Sequence, residues 1–311
     1  MIPLTFEDYA ARFGGGLRPP EPFTLALAEI GDTPLPRREA QTHKYSYGRA
    51  LLIAGCLGYS GAPVLSANAC ERSGAGLTRL LTPDSIYPVA AARCDGAVVT
   101  PLKSDFSGGF AAGACEQALS AIETADAICI GPGLGAGEGA AALTDTVLRR
   151  GRAPLVIDAD ALSVCVREPE LLSSYPADVI LTPHEGEFRR IGGDLKNGRP
   201  AGALAFTAAH PNVILVLKGH GTLICRGTEA VVNPTGTPAM AKGGSGDVLA
   251  GMITALLAQG FDALFSVRCA VCLHGLAGEI ACRDKGEYCV APSDLIDALP
   301  EAFRAVCGED A

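Results

Sequence analysis

Residues 239–253, with the sequence AMAKGGSGDVLAGMI, carry glycines and a serine just before an aspartate and an apolar stretch that predicts a helix. Successive backbone N–H groups at a helix N-terminus attract an anion, and glycines let that anion come close. Asp247 would lie in the first helical turn, where it could take a proton from a hydroxyl that attacks a bound phosphate. The segment therefore predicts phosphoryl transfer, with an anion hole formed by Gly243, Gly244, Ser245 and Gly246.

Two features of this segment leave its interpretation open. A carboxylate in the first turn also interacts favourably with the helix dipole, so Asp247 has a purely structural explanation as well. The segment is not a Walker A loop, because in that motif the lysine follows the glycines, whereas here Lys242 precedes them. The other loops of the chain therefore have to decide between the two explanations.

Four further loops with glycine or polar residues follow short apolar runs, which predict buried strands. In an open parallel sheet the carboxyl ends of the strands form one rim, and ligands bind there. Folding alone does not require four such loops at one edge, so we expect the functional site at this rim. The loops are GPGLG at 131–135, DAD at 158–160, TPHEGE at 182–187 and KGHGT at 218–222.

The loop GPGLGA at 131–136 matches the glycine fingerprint of dinucleotide-binding folds, and Asp158 ends the next predicted strand. This match supports a rival function, that of an NAD-dependent oxidoreductase. However, Pro132 stiffens the turn, and the oxidoreductase interpretation gives the later loops no role. A tight connection between strand and helix explains the glycines equally well.

Acidic residues and a histidine supply titratable groups at the rim. Asp160 suits the N-cap of a short helix, whereas Asp158 could contact a metal or a substrate hydroxyl, or serve only the fold. Pro183 fits the first turn of the following helix. We expect His184 to contact a ligand, because the rim is a poor place for a purely structural core histidine.

The segment 218–222 ends a predicted strand in Lys218 and then alternates glycine with polar residues. A lysine together with exposed backbone N–H groups suits a nucleotide phosphate or base. A solvated hairpin turn is the alternative, since glycines also permit positive φ angles.

Strand and helix patterns alternate along most of the chain, which predicts an α/β fold with a mostly parallel sheet and helices on both faces. Residues 1–40 are expected to be an irregular leader, and residues 41–311 a single domain. A β-hairpin is predicted at 221–236, and three helical stretches follow it. The predicted strands are ALLIAG, LTRLLT, GAVVTPL, ADAICIG, APLVIDAD, DVILTPHE and VILVLKG.

The composition excludes some classes of function. The 311 residues carry a net charge of −9 and no long basic run, which argues against nucleic acid as a partner. A secretion signal and an apolar run long enough to span a membrane are both missing from the sequence pattern, so we expect a cytoplasmic protein without a membrane contact. The close pair Cys269 and Cys272 has no second pair at metal-ligand spacing, which favours buried helical cysteines over a zinc site.

From about residue 43 to the last helix, the chain resembles the ADP- or ATP-dependent NAD(P)H-hydrate dehydratases, a family of the ribokinase-like superfamily. The resemblance implies a three-layer α/β/α ribokinase-like fold for nearly the whole chain. It rests on several motifs in one order: HKYSYGRALLIAGCLGYSGAPVLSANACERSGAGL, GPGLG, VIDADAL, LTPHEGEF, LKGHGT and NPTGTPAMAKGGSGDVLAGMI.

The resemblance also implies roles for individual residues. Asp247 would be the catalytic base and would touch the hydrated nicotinamide ring. Ala62, Gly133 and His184 would line the site of the hydrated dinucleotide, NAD(P)HX. Glu187 would keep a role connected with Mg²⁺. The adenine nucleotide would be held by Lys218, Gly219, His220, Gly221, Thr222 and Gly246.

The implied activity is that of a hydro-lyase that repairs hydrated NADH and NADPH. It would phosphorylate the ring hydroxyl of the S form and eliminate phosphate, giving NAD(P)H and AMP from ADP, or ADP from ATP. The resemblance also implies Mg²⁺ as a cofactor and a homo-oligomer, such as a tetramer, as the assembly. A standalone dehydratase is expected, with an NAD(P)HX epimerase on a separate chain as its partner, because some forty residues precede the match.

The chain departs from the family pattern at two places. HKYSYG stands where many relatives have aspartate or glycine after the lysine, and His184 replaces the asparagine of an Asn-x-x-Glu motif common in ATP-using members. The histidine favours ADP as the donor. Two further hypotheses remain: a ribokinase-like kinase of a vitamin precursor, which would share Asp247 but release a phosphorylated product, and a non-catalytic nucleotide-binding regulator, which would not need that acid.

Overall fold

One large sheet runs through the structure, a computed structural model that describes residues 1–20, 22–32 and 34–307. Its strands are Ile2–Pro3 (β1), Thr24–Leu27 (β2), Arg49–Ile53 (β3), Leu77–Pro83 (β4), Val98–Leu102 (β5), Ala127–Ile130 (β6), Leu155–Ile157 (β7), Val179–Leu181 (β8), Val213–Leu217 (β9), Thr222–Arg226 (β10) and Glu229–Asn233 (β11). Within the described residues, these eleven strands lie in the order β1-β2-β11-β10-β9-β8-β7-β6-β3-β4-β5.

Helices cover both faces of this sheet. They are Phe6–Phe13 (α1), Gly61–Arg72 (α2), Tyr87–Arg93 (α3), Ala114–Thr124 (α4), Glu138–Arg150 (α5), Val164–Arg167 (α6), Pro169–Ser173 (α7), Glu185–Arg190 (α8), Arg199–Ala209 (α9), Ser245–Ala258 (α10), Ala263–Lys285 (α11) and Pro292–Cys307 (α12). Short 3-10 turns lie at Ile30–Asp32, Lys44–Tyr47, Ala159–Ser163 and Pro238–Met240. The predicted three-layer α/β/α arrangement is confirmed.

The strand directions determine where the loops meet. All pairs in the run from β9 through β8, β7, β6, β3 and β4 to β5 are parallel. β10 is antiparallel to both β9 and β11, so the predicted hairpin and the mostly parallel sheet are confirmed. Because parallel strands end at the same edge, the loops after β3, β6, β7, β8 and β9 come together at one rim.

The central strands are buried on both faces, as continuous apolar runs in parallel sheets require. In β3, the side chain of Leu52 packs in the apolar cluster beneath α2, α10 and α11. Those of Leu51 and Ile53 pack in the cluster on the opposite face, with α4 and α5. This alternation follows from the period of two along a strand, and it fixes the register of the sheet against both helical layers.

The prediction of an irregular leader over residues 1–40 is wrong. Thr5 caps α1, since its side chain accepts a hydrogen bond from the N–H of Asp8, and β2 pairs in parallel with β11. Without β2, the strand β11 would present its unpaired N–H and C=O groups at a sheet edge, and the leader satisfies them. Glu21, Thr33 and residues 308–311, which the leader and domain predictions include, lie outside the described residues.

Helix α11 is long and apolar enough to cross a membrane by length and composition alone, but 72% of its apolar window is buried inside the structure. It packs against α10 and α12 as a core helix. Cys269 and Cys272 are buried on this helix, which confirms the prediction of buried helical cysteines.

Candidate active site

The rim brings together side chains from the loops after β7, β8 and β9. Lys218 follows β9, and its Nζ lies 3.0 Å from Oδ1 of Asp158, which follows β7, and 3.9 Å from Oε2 of Glu187 on α8. Thr182 at the end of β8 donates a 2.6 Å hydrogen bond to the same Asp158 oxygen. The convergence that the strand order predicts is therefore present.

Asp158 anchors this group of residues. It is 1% exposed, so its carboxylate relies on Lys218 and Thr182 in place of water. Burial lowers the pKa of Lys218, but the negative charges of Asp158 and Glu187 outweigh this effect and leave the pKa above its ordinary value. The ammonium group is thus held in an ion pair inside the protein, and the backbone N–H of Lys218 donates to the carbonyl of Pro183 at 2.9 Å.

Asp247 lies in the first turn of α10 and borders this ion pair. It is half-buried, and its carboxylate has no hydrogen bond or ion pair with any residue in the described part of the chain. Burial raises the pKa of the Asp247 carboxyl to about 7, the charge of Asp158 adds to the rise, and that of Lys218 opposes it. A carboxylate with a pKa near neutrality and no internal partner can accept and return a proton.

The backbone before α10 presents unpaired N–H groups where the sequence predicts an anion hole. The N–H groups of Gly243, Gly244, Gly246 and Asp247 have no hydrogen-bond partner among the residues that the structure describes. Ser245 contributes less, because its N–H points to the carbonyl of Lys242 at 3.4 Å and its hydroxyl donates to the carbonyl of Met240. Free N–H groups at the start of a 14-residue helix attract an anion directly beside Asp247.

Gly244 makes this turn possible. Its φ of +105° lies in the left-handed region, and a Cβ at this position would come within 2.8 Å of side-chain atoms of Leu65 and Pro292. Gly246 differs, since its Cβ would meet only side-chain ends, Nζ of Lys218 at 3.1 Å and Oδ2 of Asp158 at 4.0 Å. Glycine is therefore required for backbone reasons at 244, whereas at 246 it keeps the space above Lys218 open.

Two residues to which the sequence analysis gave no role hold the turn before α10 and its surroundings in place. Lys242 turns away from the hole and donates through Nζ to the carbonyls of Tyr288 and Val290, which fixes the connection between α11 and α12. His274 on α11 donates from Nε2 to the carbonyl of Ser245 at 2.9 Å. Burial lowers the pKa of His274 to about 4, so the ring is neutral at physiological pH.

The predicted dinucleotide contacts Ala62 and Gly133 lie next to each other. A Cβ built on Gly133 would come within 2.9 Å of Cβ of Ala62 and 3.0 Å of Cβ of Tyr59. Gly133 is buried and has a φ of +58°, so its glycine identity already follows from backbone conformation and close packing.

Asp160 accepts a 2.8 Å hydrogen bond from the N–H of Gly135, and the structure gives it no N-cap role. The N-cap prediction for Asp160 is wrong, because the carboxylate satisfies the neighbouring glycine loop.

His184 is the N-cap of α8. Its Nδ1 accepts from the N–H groups of Gly186 and Glu187 at 3.0 and 3.2 Å, and Oε2 of Glu187 accepts from the N–H of His184 at 2.9 Å. Pro183 therefore lies before the cap, and its predicted place in the first helical turn is wrong. The side chain of His184 is 57% exposed, so a ligand can reach the ring, although its Nε2 lies 3.5 Å from Oε1 of Glu187.

The loop between β9 and β10 is held by a residue that the sequence analysis missed. Arg199, at the start of α9, donates to the carbonyls of Leu217 at 3.0 Å, His220 and Gly221 at 3.3 Å. Gly219 and Gly221 have φ values of +147° and +60°. The N–H groups of residues 219–221 have no partner among the described residues. The loop therefore offers free donors on a fixed backbone, which suits the predicted nucleotide contact.

No group of three or more His, Cys, Asp or Glu side chains in the described ranges is arranged to hold a metal ion. Glu187 is the residue that was predicted to have a role connected with Mg²⁺. Its carboxylate accepts a hydrogen bond from the N–H of His184 and lies 3.9 Å from Nζ of Lys218. Mg²⁺ prefers six oxygen ligands in a regular octahedron, and a lysine ammonium competes for the same carboxylates. The residues present do not form a complete Mg²⁺ site by themselves.

The sequence of residues 50–301 matches the family model described as NAD(P)H-hydrate dehydratase. The chain belongs to the NAD(P)H-hydrate dehydratase family. A relative from Listeria monocytogenes, named ADP-dependent (S)-NAD(P)H-hydrate dehydratase, is 34% identical over 280 residues, which are 87% of this chain and 92% of the relative.

Other family members support this assignment. The bifunctional NAD(P)H-hydrate repair enzyme of Thermofilum pendens is 38% identical over 88% of this chain, and the chain spans about half the length of such bifunctional relatives, here 53%. The ADP/ATP-dependent NAD(P)H-hydrate dehydratase of Bacillus subtilis, co-crystallised with ATP and Mg²⁺, superimposes with a TM-score of 0.76 at 33% identity, covering 89% of this chain and 96% of that one. The predicted ribokinase-like fold is confirmed.

Proposed function

We propose that this dehydratase-family chain converts the S form of hydrated NADH or NADPH to NAD(P)H, with ADP or ATP as the phosphoryl donor. One observation carries the proposal: Asp247, with a pKa of about 7 and no hydrogen-bond partner in the part of the chain that the structure describes, lies beside unpaired N–H groups that form an anion hole. A base next to a phosphate-binding turn is the arrangement that transfer of a phosphoryl group to a hydroxyl needs. The names of the Listeria and Bacillus relatives supply the substrate class.

In the proposed reaction, Asp247 takes the proton of the ring hydroxyl as the oxygen of that hydroxyl bonds to the terminal phosphorus of the nucleotide. The bond from this phosphorus to the bridging oxygen breaks, and AMP or ADP leaves. The ring nitrogen lone pair then expels phosphate from the ring carbon. Loss of a proton from the adjacent carbon restores the ring double bond. Hydroxide would be a poor leaving group in this last stage, which is why phosphorylation has to come first.

The free N–H groups of Gly243, Gly244 and Gly246 would stabilise the charge on the transferring phosphoryl group. The loop 219–221 would hold the adenine nucleotide through its free N–H groups. Ala62 and His184 would line the dinucleotide side of the rim, with Gly133 beneath Ala62. Of the predicted nucleotide contacts, Lys218 would act through the remaining N–H donors of its ammonium group, because its backbone N–H donates to the carbonyl of Pro183. Thr222, whose hydroxyl donates to the carbonyl of Gly219, would stabilise the turn.

Mg²⁺ would arrive as a complex with the phosphates of the nucleotide. Phosphate and water oxygens then supply most of its six ligands, as is usual for this ion. Glu187 would lie next to that complex without being a direct ligand of Mg²⁺, because its carboxylate already interacts with the N–H of His184 and with Lys218. ADP is the donor that we propose, in keeping with the name of the Listeria relative.

A cytoplasmic homo-oligomer, with a tetramer as the expected state, completes the proposal. Leu57 and Phe106 expose apolar side chains on neighbouring loops, and the N–H of Leu57 bonds to the carbonyl of Gly108 at 3.0 Å. Exposed apolar side chains favour association, and light scattering of the purified chain measures the size of the assembly. An NAD(P)HX epimerase activity on a separate chain would supply the S form that this chain uses.

The proposal is tested with purified protein, hydrated NADH, Mg²⁺ and either ADP or ATP. Reduced-nicotinamide absorbance and free phosphate should rise together, one phosphate for each NADH. A phosphorylated product without free phosphate would instead identify a small-molecule kinase. Hydride exchange without nucleotide consumption would identify an oxidoreductase, and no change with either nucleotide would refute the dehydratase function.

A further inference from the structure

The N-terminal helix α1 packs directly on the loop that precedes β10. The rings of Phe13, the last residue of α1, and His220 lie 5.4 Å apart between their centroids. A Cβ built on Gly221 would come within 2.4 Å of Cδ1 of Phe13, so the ring lies flush against the backbone of the turn. Gly221 is buried although it belongs to an exposed turn. Phe13 is therefore what covers this part of the loop.

The same N-terminal segment also reaches the residue that holds the loop from the other side. The N–H of Leu17 donates a 2.8 Å hydrogen bond to the carbonyl of Asn197, and Gly16 packs against Gly198, the N-cap of α9. Arg199, the next residue, donates to four carbonyls of the loop and its preceding strand. The leader thus contacts the loop at Phe13 and the base of its Arg199 clamp at residues 16–17.

Tyr9 links these two contacts inside the leader. It is fully buried, its ring packs against that of Phe13 with centroids 5.5 Å apart, and the charge of Arg199 acts on its hydroxyl. Burial raises the pKa of the Tyr9 hydroxyl, and the charge of Arg199 opposes that rise. One row of side chains therefore runs from Arg199 through Tyr9 to Phe13 and back onto the loop.

We infer that α1 positions the 218–222 loop for the adenine nucleotide and that Phe13 is the positioning residue. The inference rests on the proposed function, because the nucleotide is the ligand that we assign to this loop. Two glycines with positive φ make the turn flexible in the unbound chain, and ordering such a loop on binding costs affinity. Phe13 on one side and Arg199 on the other keep the carbonyls occupied and the N–H groups of residues 219–221 free before the nucleotide arrives.

The test compares Phe13→Ala with Phe6→Ala, a matched control on the same helix. Phe6 is also half-buried and stacks on Tyr9, with centroids 6.4 Å apart, but among the described residues it has no ring contact with His220 and is not one of the nearest neighbours of Gly219 or Gly221. The dissociation constant for ADP, measured by calorimetry without any second substrate, should rise about two- to tenfold in Phe13→Ala. It should stay near the wild-type value in Phe6→Ala, and Phe13→Leu should recover most of the loss.

Turnover kinetics separate positioning from a general loss of stability. In Phe13→Ala the KM for the nucleotide should rise while the KM for hydrated NADH stays within about twofold. Equal ADP affinity in Phe13→Ala and wild type would overturn the inference and leave the proposed function intact. Equal losses in the Phe13 and Phe6 variants would also overturn it, since they would reflect stability of α1. Failure of the wild-type chain to bind either adenine nucleotide would refute the proposed function together with this inference.

Discussion

Lys218 donates a 3.0 Å hydrogen bond to the buried carboxylate of Asp158, and the same positive charge acts on Asp247 in the first turn of α10. The lysine pairs closely with the first carboxylate and compensates the second only in part. Asp158 is thereby held in a structural ion pair, whereas Asp247 has a pKa of about 7 and no hydrogen-bond partner among the described residues. Two carboxylates in one site acquire different roles because their environments differ.

The pKa of Asp247 predicts the acid limb of the activity profile. A carboxyl whose pKa is raised is protonated below that value and cannot accept a proton, so kcat/KM should fall about tenfold for each pH unit below pH 7. Above pH 7 the carboxylate is ionised and the profile should level off on this side. The measurement is kcat/KM for hydrated NADH between pH 5.5 and 8.5, with ADP affinity followed in parallel. A flat profile down to pH 5.5 would remove Asp247 as the titrating base.

Removal of the lysine should change both the pH profile and the stability. In Lys218→Met the charge that lowers the pKa of Asp247 is lost, so the acid limb should move to higher pH. Asp158 is left buried without its cation, which should cost about 3–5 kcal/mol of unfolding free energy. Urea unfolding measures that loss, and the double variant Lys218→Met with Asp158→Asn should recover part of it. An unshifted acid limb in a folded Lys218→Met protein would contradict the coupling.

The two glycines of the anion hole should respond differently to the same substitution. Gly244→Ala places a Cβ 2.8 Å from atoms of Leu65 and Pro292 at a positive φ, so we expect a loss of about 1–3 kcal/mol of stability. Gly246→Ala places a Cβ 3.1 Å from Nζ of Lys218 and 4.0 Å from Oδ2 of Asp158, inside a helix where alanine is favoured, and should change stability by less than about 1 kcal/mol. Urea denaturation distinguishes them, and equal stabilities would show that the turn at 244 is not constrained.

Two substitutions can separate the capping role of His184 from its proposed contact with the hydrated dinucleotide. His184→Ala removes the acceptor for the N–H groups of Gly186 and Glu187 and should destabilise the protein by about 1 kcal/mol. His184→Asn keeps a cap and should retain that stability. If the ring also contacts the hydrated dinucleotide, both variants should raise the KM for it. A normal KM in the asparagine variant would restrict His184 to capping.

The sequence predicts the layers of this fold well because its buried strands are short apolar runs separated by helical patterns. The rim loops and the hairpin follow from that alternation. The strand β2 is not predicted from the sequence, because TLAL is a short segment. It forms a strand by pairing with the edge of β11, which lies more than 200 residues away. Long-range pairing of this kind leaves no local pattern in the sequence.

The site is predictable where chemistry has a local pattern, as in the glycines before Asp247. The ion pair between Lys218 and Asp158 is not, because the two residues are 60 positions apart and meet only through neighbouring strands. Arg199 and Phe13 are missed for a similar reason. Arginine at a helix start and phenylalanine in a leader have many ordinary explanations, and only the folded chain shows them on either side of the 218–222 loop.

The most direct test of the account replaces Asp247 by asparagine, which keeps the size of the side chain and removes its proton acceptor. The variant should bind ADP with nearly wild-type affinity, since the N–H groups before α10 remain. Its kcat for hydrated NADH, measured with ADP and Mg²⁺ at pH 8, should fall by about 10²- to 10⁴-fold. Turnover close to that of the wild-type chain would contradict the assignment of Asp247 as the catalytic base.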